Sequence, residues 1–174
     1  MSGDLRGYSR GHHEALLSAL SVGFFFVLIG ILVITTPNLS DKVVTFLSNW
    51  QTHQIGTTNI NVPVPENLGE HIDVYLAARD FSLVWGIFLA AMLGARFLLG
   101  SPTRRKAQNV GDIVFWLGAA YMNQTFLVET TQALPPTIDD MKWFQFWAAI
   151  IALIGVSLIV RAIFLVVARA SRSA

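Results

Sequence analysis

The chain has 174 residues, of which 53% are hydrophobic and only 13% charged, about half the charged share of an ordinary soluble domain. A soluble chain this short would struggle to hide so much apolar surface, so the composition points to a bilayer. A net charge of +1 gives no electrostatic case for nucleic acid, and the absence of cysteine excludes disulfides, thiolate metal sites, iron–sulfur clusters and Cys nucleophiles.

The first uncharged apolar run is Ala15–Thr35, closed by Pro37. At about 1.5 Å per residue it crosses a hydrocarbon core of ~30 Å. It also exceeds the roughly 7–15 apolar residues of a cleavable signal peptide, so a retained helix is expected over 15–35. A second span is expected over 73–99. Its charge-free part, Phe81–Ala95, is too short alone, so Arg79, Asp80 and Arg96 belong to the helix and reach toward the two interfaces. Gly100-Ser101-Pro102 ends it. The third span, 109–130, contains the charge-free run Ile113–Val128 with polar Asn123, Gln124 and Thr125 inside. The fourth, 142–168, is built on Trp143–Val160 and continues past Arg161.

Four spans put both ends on one face. Arg6, Arg10, Arg96, Arg104, Arg105, Lys106, Arg161, Arg169 and Arg172 fall there, against Lys42, Arg79 and Lys142 on the other. The positive-inside rule makes the first face cytoplasmic, and Trp85, Trp143 and Trp147 fit an aromatic belt at the outer interface.

The outer segment, 36–72, opens with Leu39, Val43, Phe46, Leu47 and Trp50 at helical spacing, which reads as a short interfacial helix. Gln51–Ile55 and Ile60–Val64 flank Gly56-Thr57-Thr58-Asn59, a hairpin pattern whose second strand Pro63 and Pro65 restrict to an edge. Glu66, Glu70 and Asp73 precede the second span, near the positive end of its dipole. The segment is too small to stand alone and should rest on the bundle or on a partner. Asn38-Leu39-Ser40 matches a glycosylation acceptor close to the membrane.

Three groups are candidates for chemistry. His12-His13-Glu14 suggests metal, but adjacent helical histidines point about 100° apart, so solvated surface residues are the simpler reading. His53 and His71, with Glu66, Glu70 and Asp73 nearby, supply imidazole and carboxylate ligand types without a diagnostic spacing. Asn123, Gln124 and Thr125 must face the bundle or a water-filled cavity, as interhelical hydrogen bonds or as part of a permeation path. At the inner rim, Asp112 is expected to pair with Arg96 or Arg161. Ala15, Ala19 and Gly23, then Gly86, Ala90 and Gly94, then Ala148 and Ala152 recur at intervals of four and should mark close helix packing, within the chain or between chains. No phosphate loop, nucleophile elbow or His-Glu-x-x-His pattern is present in the sequence.

His13-Glu14-Ala15-Leu16-Leu17, the run Ser101–Ala107, Phe115–Tyr121 and Phe146–Ile163 together make the chain resemble small four-helix membrane proteins of archaea whose function is unknown. The resemblance implies an archaeal cell membrane and carries no activity and no site residues.

The expectation is therefore a single all-α integral membrane domain over 1–174. It has four transmembrane helices, both termini cytoplasmic, and a small outer helix plus hairpin between the first two spans. The expected role is a non-enzymatic accessory or scaffold subunit of a membrane complex or homo-oligomer. The alternative is a small channel or transporter built on Asn123–Thr125. The expected partners are the bilayer and a membrane protein or second copy; no cofactor and no nucleic acid are expected.

Overall fold

The computed structural model describes residues 4–54, 59 and 61–170, with side chains from residue 14 onward. Helix α1 (Asp4–Thr35) is followed by α2 (Leu39–Ser48), an antiparallel hairpin of β1 (Trp50–Gln54) and β2 (Asn61–Pro65), and a 3₁₀ turn at Leu68–His71. Helix α3 (Ile72–Leu98) and α4 (Thr103–Asn123) come next. A π-turn (Gln124–Val128) joins α4 to the short α5 (Glu129–Gln132), and α6 (Asp140–Ala170) closes the described chain. Three of these helices are long and apolar enough to cross a membrane: Glu14–Thr35, Leu68–Leu98 and Asp140–Ala170.

The α3–α4 connection follows from its residues. Gly100 adopts φ +66°, which costs a glycine nothing. The Ser101 N–H then reaches the Arg96 carbonyl at 3.0 Å and the Gly100 N–H reaches Phe97 at 3.4 Å, a Schellman closure. Pro102 starts α4 with an extended ψ of 140°.

Helix α4 is the most polar of the long helices and lies between α3 and α6. Glycines let its neighbours approach. A methyl group at Gly86 would meet Leu117 Cδ2 at 2.6 Å, one at Gly118 would meet Leu153 Cδ1 at 2.5 Å, and one at Gly111 would meet the Ser157 carbonyl at 3.0 Å. Buried Asn109 donates from Nδ2 to the Leu89 carbonyl at 2.8 Å, so a polar side chain faces α3 with its amide satisfied. Helix α1 is held differently, by an aromatic seam. Phe24 stacks on Phe88 with ring centroids 4.0 Å apart, and Phe25 meets Phe81 and Trp85 edge-on at 5.7 and 5.6 Å. Each such pair adds about 0.5–1.5 kcal/mol beyond its buried area.

The densest apolar cluster lies at the hairpin end, where Val64 and Leu68 pack with Tyr75, Leu127, Val128, Trp143 and Phe146. The hairpin register pairs Trp50 with Pro65 and His53 with Val62. This alternation turns Val62 and Val64 toward the helices. Burying Val64 and Leu68 stabilises the cap by roughly 1.5–3 kcal/mol each. Polar tips fasten it further: Tyr75 Oη donates to Leu68 O at 3.0 Å and Trp143 Nε1 donates to Pro63 O at 3.2 Å.

Candidate functional site

The polar cluster expected inside the third span falls at the π-turn, where its members part company. Gln124 accepts from Arg79 Nη1 at 2.8 Å and donates from Nε2 to Glu129 Oε1 at 3.3 Å. Arg79 also holds Asp80, with Nε and Nη2 at 2.8 and 2.7 Å from Oδ1. A continuous chain of polar contacts thus runs from Asp80 through Arg79 and Gln124 to Glu129. Asn123 is buried and takes no part in that chain of contacts; among the described residues its Oδ1 has no partner. Thr125 is half-buried beside them. At the end of the π-turn Thr130 returns its hydroxyl to the Phe126 carbonyl at 2.5 Å, a side-chain competitor for backbone bonding that belongs with disturbed helix geometry.

The hairpin end carries a second group. His53 on β1 donates from Nδ1 to Asp140 Oδ2 at 2.8 Å, across 87 positions of sequence. Both side chains are 39% exposed and line an open cleft of about 720 Å³ with Glu70, Asp139, Leu68 and Met141. Asp139 is already engaged as a helix cap, accepting from the Lys142 N–H at 2.8 Å. His71 is not in this cleft's lining. It is buried under the edge of Phe46 and donates from Nε2 to the Glu66 carbonyl at 3.0 Å. Asp73 pairs with Lys42 at 2.6 Å. The two histidines are therefore committed to separate contacts, and Asp73 to Lys42. Among the described residues no group of three His, Cys, Asp or Glu side chains is arranged to hold a metal ion.

At the opposite end Asp112 is half-buried, and the charges of Arg161 and Arg96 act on its carboxylate. Among the described residues neither arginine makes a direct ion pair with it. Arg96 instead donates from Nη1 to the Arg105 carbonyl at 3.2 Å, and its buried Nε has no partner among the described residues. His12 and His13 lie outside the described side chains. Asn38 is exposed at the start of α2, in the left-handed region at φ 55°.

The small residues separate into two sets. Gly86 is buried against Leu117, whereas Ala15, Ala19, Gly23, Ala90, Gly94, Ala148 and Ala152 are exposed. Among the described residues, nothing lies within 4 Å of the Cβ position at Gly23 or Gly94. Two further glycines seat neighbours, Gly111 and Gly118; no small residue stands four positions from Gly118 and only Ala107 does so from Gly111, so neither lies in a ridge that the spacing marked. Asn109 and the His53–Asp140 pair were missed for a related reason: no local pattern links residues 20 or 87 positions apart.

No protein family matches this chain, and no curated protein or solved structure is significantly similar to it.

Proposed function

We propose that the chain is a non-enzymatic accessory or scaffold subunit that crosses a cell membrane four times, with both termini cytoplasmic. Its third crossing in chain order, the one added to the three long apolar helices, is the helical run through α4, the π-turn and α5. That run carries charges at its start and so falls short on composition, but α3 and α6 cover it and Asn109 is satisfied internally. Nine of the twelve basic residues then fall on the inner face.

One observation carries the subunit reading: apart from Gly86, which seats Leu117, the small residues of the α1, α3 and α6 ridges (Ala15, Ala19, Gly23, Ala90, Gly94, Ala148 and Ala152) stay exposed. In lipid, helices associate by close packing rather than by exclusion of water, so such ridges are where another helix settles. The test is purification from native membranes in mild detergent, with mass spectrometry of everything that co-migrates. Stoichiometric partners or a defined homo-oligomer support the proposal. A monomer alone refutes it.

The buried Oδ1 of Asn123, unpartnered among the described residues, favours one second reading, a small channel or transporter. Ion flux through reconstituted protein that disappears in Asn123→Leu would favour that reading over a scaffold.

A further inference from the structure

Trp50, Val62, Pro63, Trp143, Phe144 and Trp147 line a groove of about 340 Å³ between the hairpin and the first two turns of α6. We propose that this groove holds the hydrocarbon chain of a membrane lipid, a fixed site distinct from bulk lipid contact. The inference rests on the membrane-spanning reading of α6.

Three observations select an alkyl occupant. The lining is almost wholly carbon. The polar atoms nearest to hand are already used: Trp50 Nε1 donates to the Phe46 carbonyl at 2.6 Å, Trp143 Nε1 donates to Pro63 O at 3.2 Å, and Pro63 has no N–H. A peptide backbone laid here would lose its water and gain few partners, at about 1–3 kcal/mol for each unmet group. A methylene chain loses nothing.

The groove is also continuous with a surface that faces hydrocarbon. Trp147, Ile151, Ile154 and Leu158 follow one another at helical spacing down a single face of α6, and they are 45%, 68%, 45% and 57% exposed. Phe144 stands on that same face one turn above. A lipid chain lying along the stripe therefore has its upper part enclosed between α6 and the hairpin. A second protein helix would approach instead over Ala148 and Ala152, about 100° around α6 from Trp147 and Ile151.

The test uses the full chain reconstituted in phosphatidylcholine vesicles doped with a lipid carrying a diazirine near the carboxyl end of its acyl chain. Photolysis is followed by peptide mass spectrometry. Adducts on Trp50 and Phe144 are expected several-fold above those on Ile34, which is 84% exposed at the same end of the bundle and is not part of this groove's lining. Filling the groove with Val62→Trp should abolish that excess while a mid-chain diazirine still labels Ile151.

Labelling of Ile151 with no excess at the groove overturns the lipid site and leaves the span intact. No labelling at either place removes the membrane reading and the lipid site together. Photo-crosslinks from the groove to a second copy in place of lipid also overturn the proposal.

Discussion

The contact between α4 and α6 at Gly118 gives the sharpest test of the packing. A methyl group there would lie 2.5, 2.8 and 3.2 Å from Cδ1, Cδ2 and Cγ of Leu153. Carbon atoms rest at about 3.5–4.0 Å, so roughly an ångström of movement is needed. The two Cδ atoms can swing away by rotation about Cβ–Cγ, but moving Cγ needs a change at Cα–Cβ that carries the whole buried isobutyl group with it. Gly118→Ala should therefore destabilise the bundle by about 1–3 kcal/mol, the usual range for overpacking. Leu153→Ala removes the obstructing atoms. In the double variant the new methyl enters the vacated space, and the loss should be smaller than the sum of the two by about 1–2 kcal/mol. Equilibrium unfolding in mixed micelles, followed by helical circular dichroism, measures all four corners of the cycle. Gly94→Ala, with nothing among the described residues within 4 Å of its Cβ position, is the control and should be neutral or slightly stabilising. Effects that add within about 0.5 kcal/mol would refute the reasoning, as would a Gly118→Ala variant no worse than the control.

Asn109→Ala removes the only side-chain donor described on the Leu89 carbonyl and should cost about 0.6–2 kcal/mol in the same unfolding assay; an unchanged midpoint would show that the bond contributes nothing. Gln124→Leu strips Arg79 Nη1 of its acceptor and should destabilise by about 1–3 kcal/mol, clearly more than Thr125→Val does, and equal losses would contradict the assigned contact. His53→Gln should speed amide exchange in β1 and β2 without touching α3. The pair is 39% exposed on both sides, so the change should stay below about 1 kcal/mol, and exchange rates unaltered in the hairpin would dismiss it as a fastener. Ala148→Leu combined with Ala152→Leu should break the native assembly into smaller species while the unfolding midpoint holds; an assembly that survives intact on native mass spectrometry would clear this ridge of any role between chains.

What could be read from the chain itself was whatever depends on near neighbours in sequence. The apolar runs marked helices at 15–35, 73–99 and 142–168, against Asp4–Thr35, Ile72–Leu98 and Asp140–Ala170 in the structure, the first of which begins eleven residues ahead of its apolar run. Helical spacing from Leu39 onward and the Gly56–Asn59 turn marked α2 and a hairpin whose strands fall within about one residue of expectation. These elements are set by periodicity and by glycine and proline, which act over a few positions. The run over 109–130 was legible as helix too, but its true extent, from Thr103 to Gln132, depends on shielding by α3 and α6. The partners were not legible at all. Arg79 reads as a rim residue snorkelling outward, yet it turns inward to Gln124. His53 and His71 read as neighbours in one outer segment, yet they face Asp140 and the Glu66 carbonyl. A side chain's hydrogen-bond partner is whatever the folded backbone brings within about 3 Å, and nothing local in the sequence encodes that distance. The same holds for the glycines. Their spacing announces small faces, but only the packing of α3, α4 and α6 decides that Gly86, Gly111 and Gly118 are filled while Gly23 and Gly94 stay open. Helix positions were set by the hydrocarbon-like solvent the sequence was composed for, and the contacts by which helix came to lie against which.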